Sequence, residues 1–202
     1  MSTSPLCYDP YVVYNAVGDR FLDVGCGCGK WGFLLKRHRD PAVGGRIYVA
    51  GVDLRESSVN ALRAGSMYDE VKVADACELP FQDKSFDTVI ACEVIEHLAP
   101  GKGSGLMREL RRVARQCVIV STPNNAGLRK GADAYEDHNS SYTFRDFKML
   151  GFTQVIGLGQ WRLPSWKLST YCSSFGLAFP SRSSMLMGFW FADGKPRVLC
   201  AE

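Results

Sequence analysis

Phe21-Leu-Asp-Val-Gly-Cys-Gly-Cys-Gly-Lys-Trp-Gly32 is the stretch on which the reading of this chain turns. An apolar run ends in Asp23, glycines follow at positions 25, 27 and 29, and a helical pattern opens behind them with Trp31, Leu34, Leu35 and His38 on one face. A buried strand, a glycine turn and a helix start thus follow one another without a break. Glycine accepts positive φ and lets a ligand approach the backbone closely. In open α/β sheets the strand-to-helix turn is where nucleotide-like ligands bind.

Outward from this stretch, further strand patterns arrive at βαβ spacing. Residues 46–52 read as a second strand (Ile47, Val49, Val52) that ends in Asp53 and Leu54. Residues 70–74 read as a third, followed by Asp75 and Ala76, and residues 86–92 as a fourth that runs into Glu93-Val-Ile-Glu-His97. An amphipathic helix is predicted over 105–114, with Leu106, Leu110 and Val113 on one face. Residues 116–120 form a fifth strand pattern leading to Ser121-Thr-Pro-Asn124, where Pro123 forces a turn. The polar run 124–142 lacks periodicity and is long for a connection, which suggests a lid or substrate loop. Thr143-Phe-Arg-Asp146 resembles a capping box opening a helix, Gly151 stops it, and residues 152–157 read as a sixth strand. Residues 158–185 are densely aromatic and fit either an amphipathic helix over a substrate entrance or a cap that completes the core. Residues 186–192 read as a last strand, and Asp193-Gly194 as a turn.

Five ordered motifs make this chain similar to the class I S-adenosylmethionine (SAM)-dependent methyltransferases. They are Leu22-Asp-Val-Gly-Cys-Gly-Cys-Gly29, Gly51-Val-Asp53, Asp75-Ala-Cys-Glu-Leu-Pro-Phe81, Phe86-Asp-Thr-Val-Ile90 with Glu93-Val-Ile-Glu-His-Leu98, and Ser121-Thr-Pro-Asn124, together spanning about 18–157. A nicotinamide-binding domain would prefer Gly-x-Gly-x-x-Gly, whereas here the third glycine comes one position early. The resemblance implies an α/β fold, Rossmann-like and doubly wound, with a mostly parallel seven-stranded sheet, its last strand antiparallel, in three α/β/α layers. It implies SAM as cofactor and S-adenosylhomocysteine (SAH) as product. Asp23, Gly25, Gly27 and Gly29 would hold the methionine part, Asp53 the ribose, and Asp75 and Ala76 the adenine; Leu54 would also bind the cofactor, and Glu93 would face it.

Glu93, Glu96 and His97 stand at i, i+3 and i+4, so a helix starting near Glu93 would put them on one face. In the resembled fold the fifth strand neighbours the fourth, so His138, which follows the fifth strand pattern, would open on the same sheet edge. With or without a metal, Glu93, His97 and His138 are the candidate catalytic residues; an imidazole with a pKa near neutrality suits a general base. Glu93, Glu96, His97 and His138 also make an oxygen/nitrogen set suited to a divalent metal. The grouping resembles two metal-using branches of the family: 2′-O-methyltransferases acting on the 3′ end of small RNAs, and O-methyltransferases of quinone synthesis. It departs from the former after His138, where Asn139-Ser-Ser-Tyr142 replaces an aromatic pair. His38, in a basic helix tail, reads as a surface residue.

Over 202 residues, 46% apolar and 22% charged content with a net charge of +3 suggest one globular domain over 1–202 and do not mark a nucleic-acid binder. No apolar run is long enough to span a membrane, and residues 1–9 do not read as a signal peptide, so a cytoplasmic protein is expected. Eight cysteines without a Cys-x-x-Cys read as small buried hydrophobes in a reducing compartment. The expected activity is methyl transfer to a hydroxyl of a small molecule or glycan. An RNA-modifying enzyme and a non-catalytic SAM-binding partner or regulator stay open, as do a monomer and a homodimer.

Overall fold

Side chains that alternate along each central strand divide between two apolar layers. In β1 (Arg20–Val24) Phe21 joins one cluster while Leu22 and Val24 join the other; in β4 (Phe86–Cys92) Ile90 goes with the first and Val89 and Ala91 with the second. This period-two division is what a strand buried on both faces requires. The computed structural model describes residues 8–38, 46–161 and 180–195. On the face shared with Phe21 lie α1 (Asp9–Asn15), α2 (Lys30–His38) and α3 (Glu56–Arg63). On the other lie α4 (Gly103–Val113), which buries Leu106, Met107, Leu110 and Val113, and α5 (Phe144–Met149), which buries Phe147.

The sheet is completed by β2 (Tyr48–Asp53), β3 (Glu70–Val73), β5 (Ala114–Pro123), β6 (Gln154–Trp161) and β7 (Ser183–Phe191), in the order β3-β2-β1-β4-β5-β7-β6. The first five strands run parallel, and β7 enters antiparallel between β5 and β6. The expected seven-stranded, doubly wound architecture is therefore present. The chain winds from β1 outward to β3, then restarts at β4 on the other side of β1. A crevice opens at such a switch point, beyond the carboxyl ends of the strands.

Several element ends differ from the sequence reading. β5 begins at Ala114 and extends through Pro123, because β7 pairs with it from Cys117↔Phe191 to Pro123↔Met185. Pro123 is the strand's last residue, so the turn comes directly after it. β6 continues to Trp161, and β7 begins at Ser183. The capping box at Thr143 is present, with Thr143 Oγ1 accepting from the Asp146 backbone N–H and the Asp146 carboxylate accepting from that of Thr143. The helix considered over 158–185 falls largely on 162–179, outside the described residues, as do Cys7, Cys172 and Cys200. Cys26, Cys92 and Cys117 are buried free thiols; Cys28 is exposed and Cys77 half-buried. His38 is exposed and meets the Tyr14 ring edge-on.

Candidate functional site

The glycine turn is anchored to its neighbouring strand. The backbone N–H groups of Gly25 and Cys26 both donate to the Val52 carbonyl, and the N–H of Gly29 donates back to Cys26. Gly25, Gly27 and Gly29 all have positive φ. A Cβ placed on Gly27 would meet nothing closer than the Gly25 carbonyl at 3.9 Å. The turn therefore leaves open space that a side chain would fill.

That space belongs to a cavity of about 290 Å³ at the switch point. Its walls come from the tips of four strands: Gly25 to Cys28 after β1, Asp53 and Leu54 after β2, Asp75 and Ala76 after β3, and Glu93 and His97 after β4. The Asp53 carboxylate is fixed by two backbone donors, the Gly27 N–H on Oδ2 and the Arg55 N–H on Oδ1, each at 2.8 Å. A carboxylate has acceptor capacity beyond two bonds, so Asp53 can still take hydroxyl donors. Asp75 Oδ1 accepts from the Cys77 N–H at 2.8 Å. A glycine cradle, one acid fixed beside it and a second acid with a small neighbour suit the adenosyl ligand implied by the resemblance. SAM is the cofactor that these residues fit.

Asp23, expected in this wall, lies behind it. It shares the pleat of Phe21, so its side chain turns into the helix layer, where it is 1% exposed and accepts from the Tyr68 hydroxyl at 2.6 Å. Tyr68 Oη in turn accepts from the Gly32 N–H, and any side chain at position 32 would collide with the Tyr68 ring. Burial raises the Asp23 carboxyl to about 7, against the lowering effect of the Tyr68 hydrogen bond. Asp23 thus braces the turn from beneath. Tyr68 was not legible as its partner, since 45 positions separate them.

The residues after β4 correct a second expectation. No α-helix starts at Glu93. Its φ is +57°, and Ile95–His97 form a single 3₁₀ turn. Non-glycine residues adopt this left-handed conformation at a cost of about 1–2 kcal/mol. Glu93 thereby shares no helix face with Glu96 and His97. Its Oε1 accepts from Tyr8 Oη at 3.1 Å and Ser121 Oγ at 3.0 Å, and burial raises its carboxyl to about 7.

Glu96, His97 and His138 form a separate group, each offering one ligand atom within 4.8 Å of the others. Of the four candidate metal ligands, Glu93 is the one outside it. Glu96 is 2% exposed; its Oε2 accepts from Thr122 Oγ1, and its Oε1 is buried without a hydrogen-bond partner. Burial raises its carboxyl, and the nearby Glu93 charge adds to this. His97 Nδ1 lies 3.0 Å from the Asp137 carbonyl, and the His138 ring meets the His97 ring edge-on at 5.0 Å. Burial lowers the His138 imidazole. His97 lines the cavity, whereas His138 packs behind it and is absent from the wall. The loop from 124 to 142, expected as a lid or substrate loop, contributes Ala134, Tyr135 and Glu136 to the wall.

A family described as "Methyltransferase domain" matches residues 21–116. The chain is similar to 27-O-demethylrifamycin SV methyltransferase of Amycolatopsis mediterranei, at 36% identity over 128 residues that cover 57% of this chain and 44% of that one. It is similar to demethylmenaquinone methyltransferase of Listeria welshimeri, at 30% identity over 133 residues that cover 58% and 52%. The chain thus spans about half the length of such curated relatives. A SAM-dependent methyltransferase from Archaeoglobus fulgidus shares its fold, with a TM-score of 0.64 at 20% identity over 91% of this chain and 90% of that one.

Proposed function

We propose, from its similarity to the class I SAM-dependent methyltransferases, that this chain transfers a methyl group to a hydroxyl of a small-molecule or glycan acceptor, with His97 taking the hydroxyl proton. The observation that carries this reading is the state of His97. Its Nδ1 faces a carbonyl oxygen, which only accepts, so the neutral ring carries its proton there. The lone pair is left on Nε2, on a ring that lines the same cavity as the glycine turn.

SAM supplies the methyl group and a leaving group that departs without protonation. The protein's task is to hold the acceptor oxygen in line and remove its proton, and positioning can supply much of the rate. Gly25 to Gly29 would seat the methionyl end, Asp53 the ribose hydroxyls, and Asp75 with the Ala76 backbone the adenine. Glu93, buried among neutral donors, would face the cationic end of the cofactor. The similarity to a relative named for a 27-O-demethyl acceptor supports oxygen as the methylated atom.

A second reading rests on the unpartnered Glu96 Oε1 beside two imidazoles. Glu96, His97 and His138 would hold a divalent cation, which would acidify and orient an acceptor hydroxyl. His97 already has the outer hydrogen bond that ligating histidines make. This reading suits an RNA 3′ end, with its paired hydroxyls.

The test is label transfer from methyl-labelled SAM to a panel of hydroxyl-bearing small molecules, glycans and an RNA oligonucleotide. The first reading expects label on a small molecule or glycan that survives chelation and is lost in His97→Ala, which still binds SAH. Label on the RNA alone, abolished by chelation, would replace it with the second. Tight SAH binding with no transfer to any acceptor would leave a non-catalytic binding protein.

A further inference from the structure

The segment after β5 leaves the sheet and returns as a narrow strap. Arg129 and His138 exchange backbone hydrogen bonds, His138 N–H to Arg129 at 2.8 Å and Arg129 N–H to His138 at 3.2 Å. The returning strand is sewn to the 3₁₀ turn that carries His97. The N–H groups of Asn139 and Ser140 donate to the Glu96 carbonyl, Asn139 Nδ2 donates to His97, and Ser140 Oγ donates to Ile95. The base of the strap is thus fixed to the reacting side of the cavity.

Its tip is held differently. Asp133 makes a local turn, Oδ1 accepting from the Tyr135 N–H at 2.9 Å. The same carboxylate meets the Arg55 guanidinium through both oxygens, Nη2 to Oδ1 and Nη1 to Oδ2, each at 2.9 Å. Glu136 Oε1 lies 3.8 Å from Arg55 Nη2, and the Tyr135 ring lies 5.0 Å from the guanidinium carbon. Arg55 itself follows the β2 tip, with its backbone N–H on Asp53. One arginine therefore joins the ribose side of the cavity to the tip of a strap that crosses it.

We infer that Arg55 is a positioning residue for the cofactor: it clamps residues 131–136 across the nucleoside end, and cofactor exchange requires that clamp to release. The inference rests on the SAM reading above and adds a gate to it. The clamp's side chains are part-exposed, at 29% for Arg55 and 43% for Asp133. A bidentate pair in that setting gives orientation at modest strength and is weakened by salt. Such a clamp opens readily, and the sewn base keeps Glu96, His97 and His138 in place while the tip moves.

The experiment measures the SAH dissociation rate of the full chain by stopped flow, following tryptophan fluorescence, since Trp31 lines the cavity. Asp133→Asn keeps the oxygen that accepts from Tyr135 and removes the charge, so it separates the clamp from the local turn. Arg55→Ala and Asp133→Asn are each expected to speed SAH release roughly fivefold, and the double variant to release no faster than either. Wild-type release should quicken as NaCl is raised to roughly 0.5 M, while that of the variants should not. Arg55→Lys, which keeps the charge without the fork, should fall between. Melting temperatures without ligand should match the wild type. An Asp133→Asn chain with wild-type release and wild-type salt response would overturn the clamp alone. A wild-type chain that binds no SAH would overturn both the clamp and the function on which it rests.

Discussion

Asp23 is a carboxylate buried beneath the turn whose backbone forms the cofactor cradle. Its proton equilibrium is therefore a stability equilibrium. The folded carboxyl titrates at about 7, against a reference value of 3.8, because burial disfavours the charged form. The folded state holds this proton more tightly than the unfolded chain does. Its stabilising contribution is complete below about pH 4 and is lost as pH rises through about 7. The full span is of the order of 4 kcal/mol. Ion-paired carboxylates elsewhere, such as Asp69 with Lys36, have lowered values and work in the opposite direction. The measurement is therefore a difference: unfolding free energy of the wild type minus that of Asp23→Asn, from pH 4.5 to 8. It is expected to fall as pH rises toward about 7 and to level off above it. A flat difference would mean that Asp23 stays ionised, with Tyr68 compensating for its burial.

At the scale of elements, α4 reaches across to the segment that follows Asp75 and Ala76. The Arg112 guanidinium donates to the carbonyls of Leu79 and Phe81 and pairs with Asp83 and Glu109, while Glu109 accepts from the Leu79 N–H. A single planar fork thereby holds the adenine-side loop to a core helix. Arg112→Ala is expected to destabilise the protein by about 2 kcal/mol and weaken SAH binding, with little rescue by Lys, which lacks the fork. Chemical denaturation and calorimetry would check both; an unchanged SAH affinity would confine Arg112 to a structural role. The central strands were legible because burial on both faces gives apolar runs, and the acids and glycines at their tips marked the cavity. Strand ends were less legible, because β5 is lengthened by pairing with β7, some seventy residues away. Glu93 was misread because i, i+3, i+4 spacing fits a helix equally well, and nothing local announces a positive φ. The polar run 124–142 fits a lid and a substrate loop equally, because its hold on the cavity wall depends on Arg55 and Asp133, 78 positions apart.

For the whole molecule, the cavity draws its wall from the tips of four parallel strands and from the strap after β5. None of these stretches encloses a ligand alone. A ligand in the cavity would tie together β1, β2, β3 and β4 on the parallel side of the sheet, with α1 linked in through Tyr8 and Glu93. Binding to the folded state alone then stabilises the folded chain by mass action. At SAH concentrations near a hundred times the dissociation constant, the gain is about 2.7 kcal/mol. For a protein of this size that corresponds to a rise in melting temperature of about 5–10 °C. Asp53→Ala should remove much of this shift at the same SAH concentration. It deletes the acid that would accept from the ribose hydroxyls and also frees the Gly27 N–H that shapes the turn. A scan of both proteins with and without millimolar SAH decides the matter. An equal shift in the two would move the ribose away from Asp53, and no shift in the wild type would remove SAM from this cavity.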